Sequence, residues 1–134
     1  MLTKSRLLSS ILMSHLLLGC QGDLPDTTGE GWTDAGLYEL IVTPQPDPPV
    51  AGDTVLAMEV LDVDGAAVTE ATVTVTPWMP DMDHGIMGDV TISEPTPGQY
   101  EAAFAYSMPG YWELTIVVDG GPGVDQRMVA YDVQ

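Results

Sequence analysis

Gln99-Tyr100-Glu101-Ala102-Ala103-Phe104-Ala105-Tyr106-Ser107 alternates with period two along its whole length. Tyr100, Ala102, Phe104 and Tyr106 point one way, and the intervening residues are small or polar. A chain with that spacing buries one face when extended and has no apolar stripe when helical, so the segment predicts a half-buried strand. Working outward, Glu94-Pro95-Thr96-Pro97-Gly98 reads as a turn that leads in from a short strand near 87–92. Downstream, Met108-Pro109-Gly110 turns into a strand over 111–118 that buries Trp112, Leu114, Ile116 and Val118. Asp119-Gly120-Gly121-Pro122-Gly123 then leads into a last strand over 124–133, in which neither face is evidently apolar.

Upstream the same grammar holds. Residues 37–43 place Tyr38, Leu40 and Val42 on one face, until Pro44, Pro46, Pro48 and Pro49 stop the strand. Residues 54–62 carry Leu56, Met58 and Val60 inward and end at the turn pair Asp64-Gly65. Residues 71–78 point Ala71, Val73 and Val75 in and Thr72, Thr74 and Thr76 out. No long helical periodicity occurs. About seven short strands in just under 100 residues predict an all-β fold, an immunoglobulin-like antiparallel β-sandwich. The expected core includes Tyr38, Val60, Val73, Phe104, Trp112 and Ile116.

The first twenty residues read differently. Lys4 and Arg6 precede a mainly apolar run over 7–18, shorter than the ~20 residues that span a bilayer but suited to a secretory signal. Leu17-Leu18-Gly19-Cys20 resembles a bacterial lipobox. That resemblance implies a signal peptide over 1–19, cleavage before Cys20, and lipid on the Cys20 sulfur. By resemblance to the sorting of Gram-negative lipoproteins, Gln21 points to the outer membrane, with the domain facing the periplasm or the cell surface. Residues 20–36 are polar and rich in Gly, Asp and Thr, and read as the lipidated cysteine and a flexible tether to a domain over 37–134.

Composition narrows the function classes. The chain has 134 residues, twenty acids and three bases, and loss of 1–19 leaves Arg127 as the one base. No basic patch can neutralise phosphates, which excludes nucleic acid as a partner. With Cys20 acylated there is no thiol, hence no disulfide and no thiolate-built metal centre. There is no G-x-S-x-G, and one mature histidine without a nucleophilic cysteine makes no triad, so an enzyme is not expected.

That histidine, His84, lies in Trp78-Met79-Pro80-Asp81-Met82-Asp83-His84-Gly85-Ile86-Met87, which holds three of the six mature methionines. A fourth, Met108, sits in the turn ahead of Trp112. A hairpin centred on Thr96 would set residue 84 opposite residue 108, His84 beside Met108. Thioether sulfur is a soft neutral donor that selects Cu(I), and imidazole suits copper in both oxidation states. Neutral ligands leave the ion singly charged, and Asp81 and Asp83 are close in sequence to offset it. The alternative is packing: Met108 continues the stripe of Phe104 and Tyr106, and methionine fills irregular gaps in a core.

The stretch from Met79-Pro80-x-Met82-x-His84-Gly85 through Gly98-x-Tyr100 to Met108-x-Gly110-x-Trp112 resembles the YtkA-like domain family, related in pattern to FixH-type proteins. The resemblance extends over about residues 38–133. It implies a small extracytoplasmic β-sandwich associated with copper handling or terminal-oxidase assembly. Carried over residue by residue, it makes Met79, Met82, His84 and Met108 the candidate metal ligands, and a copper-receiving protein a possible partner. FixH-type proteins usually carry a membrane helix, where this chain carries the features of a lipid anchor. The competing expectation is an Ig-like surface recognition or structural module with no metal. Asp62-x-Asp64-Gly65 offers hard oxygens for calcium, but an ordinary hairpin turn explains it as well.

Overall fold

A computed structural model describes residues 29–134. The expected signal peptide over 1–19, Cys20 and the first part of the expected tether lie outside the described residues. Nine strands follow in chain order: β1 Glu30–Trp32, β2 Glu39–Gln45, β3 Gly52–Leu61, β4 Thr72–Met79, β5 His84–Gly85, β6 Thr91–Thr96, β7 Gln99–Tyr106, β8 Gly110–Gly120 and β9 Gly123–Val133. A single 3₁₀ turn, Pro80–Met82, joins β4 to β5, and no α-helix occurs among the described residues. Two antiparallel sheets, ordered β1-β2-β3-β7-β6 and β5-β4-β8-β9, pack as a sandwich.

The period-two residues line the interior. Tyr38, Leu40, Val42, Leu56, Met58, Val60, Tyr100, Ala102, Phe104 and Tyr106 from the larger sheet meet Val73, Val75, Trp112, Leu114, Ile116 and Val118 from the smaller. Register agrees with pattern: Leu56 opposes Ala102, Met58 opposes Tyr100, and Val75 opposes Ile116. A one-residue slip would turn each set toward water, so burial of the apolar face fixes the pairing.

Two expectations are corrected, and two open points are filled in. First, β6 begins at Thr91 rather than near Met87, since Met87 is 93% exposed and residues 84–85 pair with the other sheet. Pro95 is tolerated in β6 because this is an edge strand whose pairing is irregular between Ser93 and Thr96. Second, the last part of the expected tether over 20–36 is structured. Glu30–Trp32 add a strand to β2, and Thr33 is buried where its hydroxyl donates to Asp125 at 2.6 Å. Third, β9 hid its facing because Asp125 and Arg127 take inward positions ahead of Val129 and Val133. Fourth, β1 and β5 raise the strand number above seven. Both are too short for a period to show.

Polar side chains close one end of the sandwich. The Tyr100 hydroxyl donates to Val68 O at 2.8 Å and accepts from Ala71 N–H at 3.0 Å, pinning the connection between β3 and β4 to β7. Gly98 there has a φ of +78°, and a Cβ on it would lie 2.6 Å from the Cβ of Ala67, so both the backbone and the space require glycine. Asp125 accepts from the backbone N–H of Ala35, Leu37 and Gln126 as well as from Thr33. Burial pushes the Asp125 carboxyl up, and these donors outweigh it and hold it below its ordinary value.

Candidate functional site

The opposite end carries Met79, Met82, Met87 and Met108. Pro80 cannot extend the β4 ladder and opens the 3₁₀ turn instead. Asp83 closes that turn in the left-handed region at φ 53°, where a short polar side chain is tolerated, and its N–H donates to Pro80 O at 3.3 Å. The chain doubles back so that His84 pairs with Met79 and Gly85 with Trp78. Directly opposed residues of an antiparallel pair share a face. Met79 points into the core with 3% exposure, and His84 follows it inward to half-burial.

There His84 meets Trp112 edge-on, with ring centroids 5.9 Å apart and planes at 73°. The Trp112 indole N–H donates to the Met108 carbonyl at 3.1 Å. Met108 is half-buried against the core, and His84, Gly85, Ile86, Met87, Ser107 and Met108 line one open pocket of about 450 Å³. Met79 lies beside this pocket, its terminal methyl against Gly110. A Cβ on Gly110 would sit 2.6 Å from that methyl, and the φ of +136° disfavours any other residue. Met82 stands on the 3₁₀ turn, 58% exposed.

His84 Nδ1 lies 2.8 Å from Gly85 O. A carbonyl oxygen can only accept, so Nδ1 carries a hydrogen, and in the neutral ring Nε2 keeps its lone pair. That second-partner arrangement is the one metal-bound histidines use to fix their tautomer. Among the described residues no three His, Cys, Asp or Glu side chains gather closely enough to hold a metal. The side chains with nitrogen or sulfur donor atoms lining this pocket are an imidazole, from His84, and thioethers, from Met87 and Met108, and imidazole and thioether are donor types that suit Cu(I).

Of the four candidate ligands, His84 and Met108 share a pocket, Met79 borders it from the core, and Met82 is at the turn outside the pocket lining. The juxtaposition of residues 84 and 108 does occur, but the hairpin argument for it is corrected. The β6–β7 register pairs Thr91 with Ala103 and Thr96 with Gln99, and His84 belongs to the other sheet. The two residues line the same open pocket at this end of the sandwich. Sequence reasoning placed Trp112 in the core and missed its contact with both candidate ligands. The spacing Met108-x-Gly110-x-Trp112 was the available signal.

Fold and site together define a small two-sheet sandwich with a histidine–methionine pocket at one end. The YtkA-like family model matches residues 34–117, a span that contains every residue of that pocket, and the chain belongs to this family. No curated protein and no solved structure matches it.

Proposed function

We propose that the protein is a lipid-anchored, extracytoplasmic copper-binding protein without enzymatic activity, which holds one Cu(I) for copper handling or delivery. The observation that carries this reading is the His84–Met108 pocket, where Nδ1 is engaged by Gly85 O and Nε2 is left to donate. His84 supplies the nitrogen, Met108 a thioether, and Met79 and Met82 the further sulfurs. Met79 packs its terminal methyl against Gly110 and Met82 stands on the turn, so each would have to move to join His84 and Met108 around one ion. Thioethers suit an oxidising compartment in which thiols are lost to disulfides.

The anchor reading rests on Lys4, Arg6, the apolar run and Leu17-Leu18-Gly19-Cys20. Acyl chains contribute about 0.8 kcal/mol per buried CH₂, so two or three hold a soluble domain stably to the outer membrane. Replacing Cys20 by Ala is expected to move the protein from the detergent phase to the aqueous phase. Unchanged partition would remove the anchor from the account.

X-ray absorption of the Cu(I)-loaded protein tests the donor set. The expected shell is one nitrogen and two or three sulfurs. A shell of oxygen and nitrogen alone would contradict it. The rival, a metal-free recognition module, is supported by the exposed Trp32 and Trp78, at 51% and 40%. Under it, Met79, Met82 and Met108 are packing residues and the protein takes up no stoichiometric Cu(I).

A further inference from the structure

We infer that Trp112 is a positioning residue of the copper pocket, holding Met108 through its indole N–H and His84 through a T-shaped ring contact. The inference rests on the copper reading above and adds to it the residue that sets the geometry of two ligands at once. Trp112 is fully buried in β8. Its ring packs on Tyr106 at 5.3 Å, and Tyr106 packs on Phe104 at 5.0 Å, so a row of core rings fixes its rotamer. Both groups it touches are otherwise weakly held. His84 belongs to a two-residue strand, and Met108 sits in the turn between β7 and β8.

Met108 is held by its backbone rather than by its sulfur. The bond from Trp112 Nε1 to Met108 O ties down the carbonyl and with it the stretch of backbone from which the Met108 side chain departs. The thioether stays available to an ion while the residue that bears it is tied to the core. The edge contact with Trp112 limits rotation of the His84 ring from one side, and Gly85 O limits it from the other. Core packing is thereby converted into ligand position, which a turn alone could not supply.

A tryptophan-to-alanine change would confound positioning with loss of the core, so the test removes only the donor. Position 112 of the full-length protein is replaced by 3-benzothienylalanine, which keeps the bicyclic shape and has sulfur in place of N–H. Trp112→Phe is the genetically simple second variant. Cu(I) affinity is measured by chelator competition, and the copper shell by X-ray absorption, in each variant with and without Met108→Leu. Outer partners of metal ligands typically contribute 10–100-fold to metal affinity. The benzothienyl variant is expected to bind at least about tenfold more weakly, with one fewer sulfur in the shell and its nitrogen retained. Met108→Leu should then cost almost nothing further in that background, because the two residues act as one unit. A purely structural role for Trp112 would alter the unfolding midpoint and leave the sulfur count and the coupling unchanged. Wild-type affinity in the benzothienyl variant, or additive losses in the double variant, would overturn the positioning role. Failure of the wild type to bind Cu(I) would overturn the copper reading instead.

Discussion

The two ends of the sandwich spend their side chains in opposite ways. At the end near the start of β4, polar side chains tie loop to loop: Tyr100 bridges Val68 and Ala71, Asp125 gathers residues 33–37, and Glu94 accepts from Glu70 N–H and Gly98 N–H. At the other end the converging groups are an imidazole, thioethers and a tryptophan, around a pocket that is open. The buried Tyr106 hydroxyl there has no hydrogen-bond partner among the described residues. One end fastens the sheets together, and the other keeps donor atoms uncommitted. In a sandwich the strands hold both ends in place, so a site can be built at one without loosening its opposite.

The comparison breaks most visibly at Trp112, the residue both requirements share. Trp112→Ala empties a fully buried ring site and is expected to cost about 3–5 kcal/mol, read from urea denaturation. A cost near 1 kcal/mol would show that the pocket end contributes little to the core.

Asp125 tests the fastened end. Its carboxyl is held below its ordinary value, so the stability it contributes is present above the ordinary carboxylate range and is lost as pH falls through the folded-state value. Asp125→Asn is expected to lose about 1–3 kcal/mol at neutral pH and to flatten the acid limb of the stability curve. Copper affinity should stay at the wild-type value, because Asp125 lies at the end away from the pocket. Thermal unfolding across pH, run beside a Cu(I) titration, checks both halves. A parallel loss of copper binding would mean the ends are coupled.

Gly110→Ala sharpens the contrast from the pocket side. The left-handed backbone is expected to cost about 1–2 kcal/mol, and the new methyl must displace the end of Met79. Stability should fall modestly, measured as a lower unfolding midpoint.

Met82→Leu carries the smallest structural effect. The side chain is 58% exposed, so stability should change by less than about 0.5 kcal/mol. Any fall in Cu(I) affinity from this substitution therefore reports ligation rather than packing.

The sequence was informative where a physical period repeats. Strands β2, β3, β4, β7 and β8 alternate over enough residues for one face to be read directly. β1 and β5 escaped because two or three residues make no period, and β9 because Asp125 and Arg127 occupy core positions through long-range polar partners. The site was half legible. Methionine clustering around His84 singled out the stretch that lines the pocket with Met108, whereas the pairing of His84 with Met79 depends on a chain reversal that Pro80 and Asp83 make possible but do not announce. The contact between Trp112 and Met108 joins a core residue to a turn, and alternation can assign only the first.

The central claim is that the end holding His84 and Met108 binds Cu(I). The most direct measurement is a competition titration with a chromogenic Cu(I) chelator on the wild type, His84→Ala and Met108→Leu, repeated as pH is lowered. The account predicts one Cu(I) per wild-type chain and weaker binding in both variants. It also predicts a loss of affinity toward acid that largely disappears in His84→Ala, because a protonated imidazole cannot donate while thioethers do not titrate. Equal affinities across the three proteins, or the same acid dependence without His84, would contradict it.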